Sequence, residues 1–162
     1  MRIHESETFP VPVERVWEIV NDHGRRLEWD VMLRGLTLHT PGPTRVGTEV
    51  TQRAKWTSGG ATMRARYTSV EPPGSRGDGS AEMAIEMVEG PWYFGRFTAT
   101  NRMRPAAGGG CVSEGEYDFT IRPRWLAWVV GPVVRAVFRR ETRRRWAAWR
   151  RYAADTKNAP PA

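Results

Sequence analysis

Lysine is nearly absent from this sequence: Lys55 and Lys157 are the only two, so arginine supplies almost all of the 25 basic residues. Cysteine is scarcer still. Cys111 stands alone in 162 residues, which excludes an intrachain disulfide framework and a cysteine-based zinc site, and makes a reducing compartment the expected one. The histidines His4, His23 and His39 are scattered without metal-ligand spacing, so no metal is expected. A P-loop, a GxGxxG turn and a nucleophile elbow are all missing, and the glycine run at Gly108 lies between strand-like segments as a hairpin turn. Nucleotide and metal chemistry therefore lack their parts, and no cofactor is expected.

Long apolar runs are missing too. The longest, WLAWVVGPVV from Trp125 to Val134, contains Gly131 and Pro132 and falls short of the roughly twenty residues a membrane span needs. The opening MRIHESETF has acids where a signal peptide would have an apolar core, so the expected location is the cytoplasm. The length suits one domain, expected over 1–156, with a proline-bearing tail over 157–162 that has nothing to bury and is expected to be disordered. Nothing in the sequence separates a monomer from a homodimer.

What is abundant is positive charge in one place. Arg135, Arg139, Arg140, Arg143, Arg144, Arg145, Arg150 and Arg151, less Glu141, account for the whole formal net charge of +7. Interleaved with them are Phe138, Thr142, Trp146, Trp149 and Ala153, at spacings of four, four, three and four. That spacing predicts a helix, from about Pro132 to Asp155, with an apolar stripe and an arginine back. Arginines near a helix C-terminus also suit its dipole.

The rest of the chain reads as strands broken by turn chemistry, preceded by two short helices. Ile3 to Phe9 reads as the first strand. Pro12 sits in the first turn of a helix whose stripe is Val13, Val16, Trp17 and Val20, and Gly24 is placed to end it. A second turn, RRLEW, runs to Trp29. Two-residue alternation then puts Ala61, Met63, Ala65 and Tyr67 on one face of a strand, Ala81, Met83, Ile85 and Met87 on another, and Gly115, Tyr117, Phe119 and Ile121 on a third. The opposite faces are charged, so Arg64, Arg66, Arg96 and Arg102 are expected to pair across strands with Glu82, Glu86, Glu114 and Glu116. An apolar sheet face needs a cover, and the long helix is the one element able to supply it. The expected fold class is α+β: a curved antiparallel sheet of about six to seven strands wrapped on one long C-terminal helix.

The order of elements resembles a known superfamily. ESETFPVPVERVWEIVND from Glu5 is similar to its first strand and proline-started helix, LEWD at Leu27 to its tryptophan after the second helix, and VGTEV at Val46 to its glycine entry to a middle strand. A proline-interrupted lead into a basic terminal helix completes the likeness. The chain resembles the START-like, Bet v 1-like helix-grip (SRPBCC) proteins, and among them the bacterial polyketide cyclase/dehydrase-like group. The resemblance implies a mostly apolar cavity between helix and sheet that takes a hydrophobic small molecule such as a lipid, a quinone or an aromatic polyketide-like compound. Some members catalyse cyclisation or dehydration, so it implies a site more strongly than a reaction.

The residues expected at such a cavity are Trp29, Trp56, Met63, Tyr67, Met83, Met87, Phe97, Asn101, Tyr117, Phe138, Thr142 and Trp146. Methionines there would make an adaptable wall, and they would serve equally as core filling. Asn101 and Tyr67, polar groups on an apolar face, each need a partner, with backbone or water favoured. Arg145, at the edge between the two faces of the terminal helix, is a candidate donor to an enolate. Glu141 would be a base if a dry cavity raised its pKa, although its arginine neighbours make a solvated helix ion pair the plainer expectation. The competing function is binding of a polyanion or a membrane surface through the arginine-rich helix. The tryptophans on the apolar stripe argue against specific nucleic-acid binding and leave a weak membrane-surface contact as a secondary role.

Overall fold

The computed structural model describes residues 1–155, so the expected tail lies outside the described residues. Strand β1 (Arg2–Phe9) is followed by helices α1 (Val13–Asn21) and α2 (Arg26–Trp29). Six strands follow: β2 (Leu33–Leu38), β3 (Glu49–Ala54), β4 (Thr62–Glu71), β5 (Ala81–Glu89), β6 (Phe94–Pro105) and β7 (Cys111–Ile121). A one-turn 3₁₀ helix, Trp56–Ser58, links β3 to β4, and α3 (Arg124–Asp155) closes the chain. All neighbouring strands are antiparallel, in the order β1-β7-β6-β5-β4-β3-β2. The α1–α2 segment thus carries the chain from one sheet edge to the other. Register shifts at Arg64/Ala65 and Tyr67/Ser69 mark irregularities of the kind that bend a sheet, and α3 packs against β1 and β7. This is the helix-grip architecture expected above.

The alternation works as expected because only one face is covered. In β7, Gly115, Tyr117, Phe119 and Ile121 are buried, while Glu114, Glu116 and Asp118 are half-buried on the far side. The ion pairs of that far face differ from those expected. Arg102 does meet Glu82, but Arg66 takes Glu49 at 2.8 Å, Arg64 takes Glu89 at 3.1 Å and Arg96 takes Asp118 at 3.0 Å. Register decides this: Glu49 is directly opposite Arg66 on β3, and Glu82 directly opposite Arg102 on β5. Glu114 and Glu116 go instead to Arg104 and Arg2, on the neighbouring strands β6 and β1.

Three helix boundaries also differ. Pro12 caps α1 from outside, its carbonyl accepting from the N–H groups of Arg15 and Val16. Gly24 does not end that helix. Asp22 does, its N–H bonding the Glu18 carbonyl while its side chain accepts from the Arg25 N–H at the start of the next turn. The third is α3, which begins at Arg124, so Pro132 lies inside it. A proline there leaves the carbonyl four residues earlier without its helical partner; that residue, Trp128, is 88% exposed, where water can serve.

Two apolar clusters fill the space under α3. One gathers Phe9, Val16, Trp29, Met103 and Trp149 around α1 and the C-terminal half of α3, and the other gathers Ile3, Phe97, Tyr117 and Phe119 beneath Phe138 and Val134. Met63 and Ile85 pack against both.

Candidate functional site

Between α3 and the sheet a two-lobed cavity remains. The outer lobe, about 320 Å³, is walled by Met63, Phe94, Phe97, Val134, Val137, Phe138 and Thr142, with Ser58, Gly59 and Ala61 at one side. Val133 and Val137, both exposed, stand on its rim, so it opens to solvent along the first half of α3. The inner lobe, about 100 Å³, is walled by Trp29, Tyr67, Met83, Ile85, Asn101, Trp146 and Trp149. Gln52, Met63, Phe97, Tyr117 and Arg145 line both.

The inner lobe ends on a charge cluster in which Arg26 and Asp30 are buried and Arg145 is half-buried. Arg26 and Asp30 lie one turn apart on and just after α2, with Arg26 Nε 2.9 Å from Asp30 Oδ2. Arg145, reaching in from α3, places Nη2 2.8 Å from the same oxygen. Arg26 also donates through Nη1 to the Val20 carbonyl at 2.9 Å and lies 4.3 Å over the Trp29 ring. The Asp30 side chain has no exposed surface. Two guanidinium groups thus share one carboxylate, and the cluster carries one positive charge in excess.

These groups set one another's protonation. Burial alone would raise the Asp30 carboxyl, but the charges of Arg145 and Arg26, the Arg26 hydrogen bond and the Met32 N–H hold it below the usual carboxylate range. Arg26 is lowered by burial and by the charge of Arg145, against the pull of Asp30; as an arginine it stays cationic. Tyr67 and Tyr117 are pushed up by burial, opposed by Arg26 and Arg145, so both are neutral phenols at pH 7. The oxygen of Tyr117 accepts from Trp146 Nε1 at 3.0 Å, which leaves the phenolic proton free to donate. Trp146 reaches that position because residue 115 is glycine; a Cβ there would stand 2.6 Å from the indole.

Behind Tyr67 lies His23, its ring centroid 6.1 Å away and its Nε2 3.1 Å from Thr44 Oγ1. Burial, helped by the charge of Arg26 and opposed by Asp22, pushes its pKa down to about 4. The unfolded chain, with histidine near 6.5, binds more protons between those values, so stability falls as pH drops from about 6.5 to about 4. Asp30 and Glu141, both lowered in the fold, lose their contribution below the ordinary carboxylate values near 4, a lower window. His23→Asn is expected to flatten the melting temperature between pH 6.5 and 4.5 relative to the parent, and parallel profiles would show that His23 is not the group responsible.

Most of the residues expected at the cavity meet there: Trp29, Met63, Tyr67, Met83, Phe97, Asn101, Tyr117, Phe138, Thr142 and Trp146 line one or both lobes. Asn101 has a structural partner, its Oδ1 accepting from Ser113 Oγ at 2.7 Å. Two do not join. Trp56 sits on the 3₁₀ turn rather than on a strand face, 79% exposed and 5.4 Å from the Arg34 guanidinium. Met87 packs into the aromatic cluster under Phe138 and lines neither lobe. Arg145 does not stay at the edge between the two faces of α3 but reaches the cavity floor, because Asp30 holds it there. Glu141 is buried rather than solvated, accepting from Ser58 Oγ at 2.8 Å and Arg144 Nη1 at 3.0 Å. Burial would raise its pKa, but those hydrogen bonds and the charges of Arg144 and Arg140 carry it below the usual range, so it is not the high-pKa base considered above. Sequence reasoning missed Arg26 and Asp30; the available signal was an Arg–Asp pair four residues apart bracketing a buried tryptophan.

On the outer side of α3, Arg139 and Arg143 pair with the two oxygens of Glu5 at 3.1 and 3.0 Å, and Arg150 pairs with Glu7 at 3.1 Å. Part of the arginine back is therefore used to fasten α3 to edge strand β1. Among the described residues no cluster of metal-ligating side chains occurs, and no helix is long and apolar enough to cross a membrane.

A search of curated protein sequences finds no match. Solved structures match over nearly the whole chain. A protein from Thermus thermophilus shares 12% identity at a TM-score of 0.80, covering 98% of this chain and 100% of its own. An aromatase/cyclase from a Streptomyces species shares 15% identity at a TM-score of 0.80, covering 98% and 96%. A START superfamily protein from Mycobacterium smegmatis shares 11% identity at a TM-score of 0.74, covering 95% and 97%. At such identities the likeness is one of fold. The family model described as "Polyketide cyclase / dehydrase and lipid transport" matches residues 1–154, and the chain belongs to that family.

Proposed function

We propose that the protein binds a hydrophobic small molecule, of the lipid, quinone or aromatic polyketide-like kind, in the two-lobed cavity between α3 and the sheet. One observation carries this reading. The lobes share Met63, Phe97 and Tyr117 as common wall, and the outer one opens beside exposed Val133 and Val137, so an apolar body can enter and extend inward. Membership of a polyketide cyclase/dehydrase and lipid-transport family supports it, as does a structural neighbour that is an aromatase/cyclase. A titration with Nile red, an uncharged dye, tests it. Val134→Trp fills the outer lobe, and is expected to weaken dye uptake at least about tenfold with little change in melting temperature, whereas uptake by the parent should be insensitive to salt. Uptake undiminished in the variant would place the dye elsewhere and remove the support for the cavity.

We also propose a weak membrane-surface contact, carried not by the arginine back but by Trp125, Trp128 and Val129, which are 68%, 88% and 70% exposed on the first half of α3, with Trp92 on the neighbouring β5–β6 loop. Exposed tryptophans beside arginine suit the bilayer interface. Trp128→Ser is expected to reduce co-sedimentation with phosphatidylcholine/phosphatidylserine vesicles, and equal pelleting of parent and variant would rule the contact out.

A further inference from the structure

Resting on the cavity reading, we infer that the inner lobe is a carboxylate site, and that the natural ligand is an apolar molecule carrying one ionised carboxyl group, seated head-first against Arg145 and Arg26.

Charge comes first. Asp30 neutralises one of the two guanidinium groups that touch it, and the remaining positive charge faces a lobe walled by Trp29, Tyr67, Met83 and Trp146. A buried charge without a counter-ion is costly, and proteins keep such a charge where a ligand or another group pairs it. The nearest further carboxylate on α3, Glu141, is committed to Ser58 and Arg144. His23, lowered by burial, is neutral at pH 7 and adds no further positive charge.

Hydrogen-bonding capacity points the same way. Arg145 uses Nη2 on Asp30, and Arg26 uses Nε on Asp30 and Nη1 on Val20, which leaves further guanidinium N–H groups on each. Tyr117 has its oxygen occupied by Trp146 and its proton to give, and Asn101 has its oxygen occupied by Ser113 and its amide N–H groups to give. The lobe is therefore rich in donors. A carboxylate, which only accepts and matches the guanidinium fork in geometry, fits such a set better than an alcohol or an amine. The apolar outer lobe, about 320 Å³, takes the rest of the molecule.

The test uses matched pairs that differ in charge and little else: 2-naphthoate against 2-acetylnaphthalene, and decanoate against 2-decanone, titrated calorimetrically into the whole protein at pH 7.5. The acid of each pair is expected to bind about 10- to 100-fold tighter than its ketone, the range of a hydrogen bond to a charged group. Arg145→Met leaves the Arg26–Asp30 pair balanced, so the fold is expected to persist, which a melting curve checks. In that variant the acid preference should disappear, the acid falling to the affinity of its ketone, and Arg145→Lys should restore part of it. Ketones binding as tightly as acids, or a preference that survives Arg145→Met, would overturn the carboxylate site and leave the cavity reading standing. Failure of all four compounds to bind by about 1 mM would overturn both, at an affinity weaker than about 4 kcal/mol.

Discussion

Asp30→Asn is expected to cost about 3 to 5 kcal/mol, the usual penalty for removing one partner of a buried ion pair, and so to lower the melting temperature by about 6 to 20 °C. The change keeps the size of the side chain and removes its charge, so packing around Trp29 is preserved while Arg26 and Arg145 are left facing each other with no carboxylate between them. Burial, with the charge of Arg145 second, already holds Arg26 below its ordinary value with Asp30 in place, and both guanidinium groups contact the same carboxylate oxygen. Adding Arg145→Met to Asp30→Asn is expected to recover part of the loss, since one of two unpaired charges is gone, and this non-additivity is the signature of a shared site. Thermal melts of the parent, both single variants and the double variant measure it. A drop of less than about 2 °C for Asp30→Asn would mean that the arginines find another counter-charge, at odds with a carboxylate shared between them.

That cluster also shows where sequence reading stops. Strands β4, β5 and β7 were legible because one-sided burial imposes a two-residue period, and the stripe Phe138, Thr142, Trp146, Trp149 was legible because a helix covering a sheet repeats at three and four. Both are local patterns. The site is not local. Arg26 and Arg145 come from opposite ends of the chain; helical spacing places Arg145 at the edge of the stripe, but only the fold brings Asp30 beneath it, while Arg144 turns to Glu141. Trp56 stands outside the cavity for a related reason: the strand before it ends at Ala54, and the indole lies on a single 3₁₀ turn, exposed. The early start of α3 was hidden by Pro132, which normally marks a helix beginning and here sits on an exposed turn that tolerates the missing hydrogen bond.

Two tryptophans that look alike in the sequence should respond very differently to deletion. Trp149→Ala is expected to destabilise by about 3 to 5 kcal/mol, the range for a buried tryptophan, or about 6 to 20 °C in melting temperature. Its ring is 4.8 Å from Phe9 in an edge contact, 5.3 Å from Trp29 in a stack and 5.9 Å from Trp146, so it joins β1, α2 and α3 at one point. Its indole Nε1 has no hydrogen-bond partner among the described residues, so Trp149→Phe should retain most of the stability, the loss being of packing and not of a hydrogen bond. Trp56→Ala, by contrast, removes a ring that is 79% exposed and is expected to change stability by less than about 0.5 kcal/mol. The consequence for the cavity follows from Trp29, whose ring stacks on Trp149 and carries the Arg26 guanidinium at 4.3 Å. Without Trp149 to back it, Trp29 can retreat, the inner lobe enlarges, and Arg26 loses the ring beneath it. Trp149→Ala should therefore loosen discrimination by ligand size where Trp56→Ala leaves it unchanged, measured as relative affinities for octanoate, decanoate and dodecanoate. Equal melting temperatures for the two variants would mean that the C-terminal half of α3 is not core, and that Trp149 does not anchor the wall of the inner lobe.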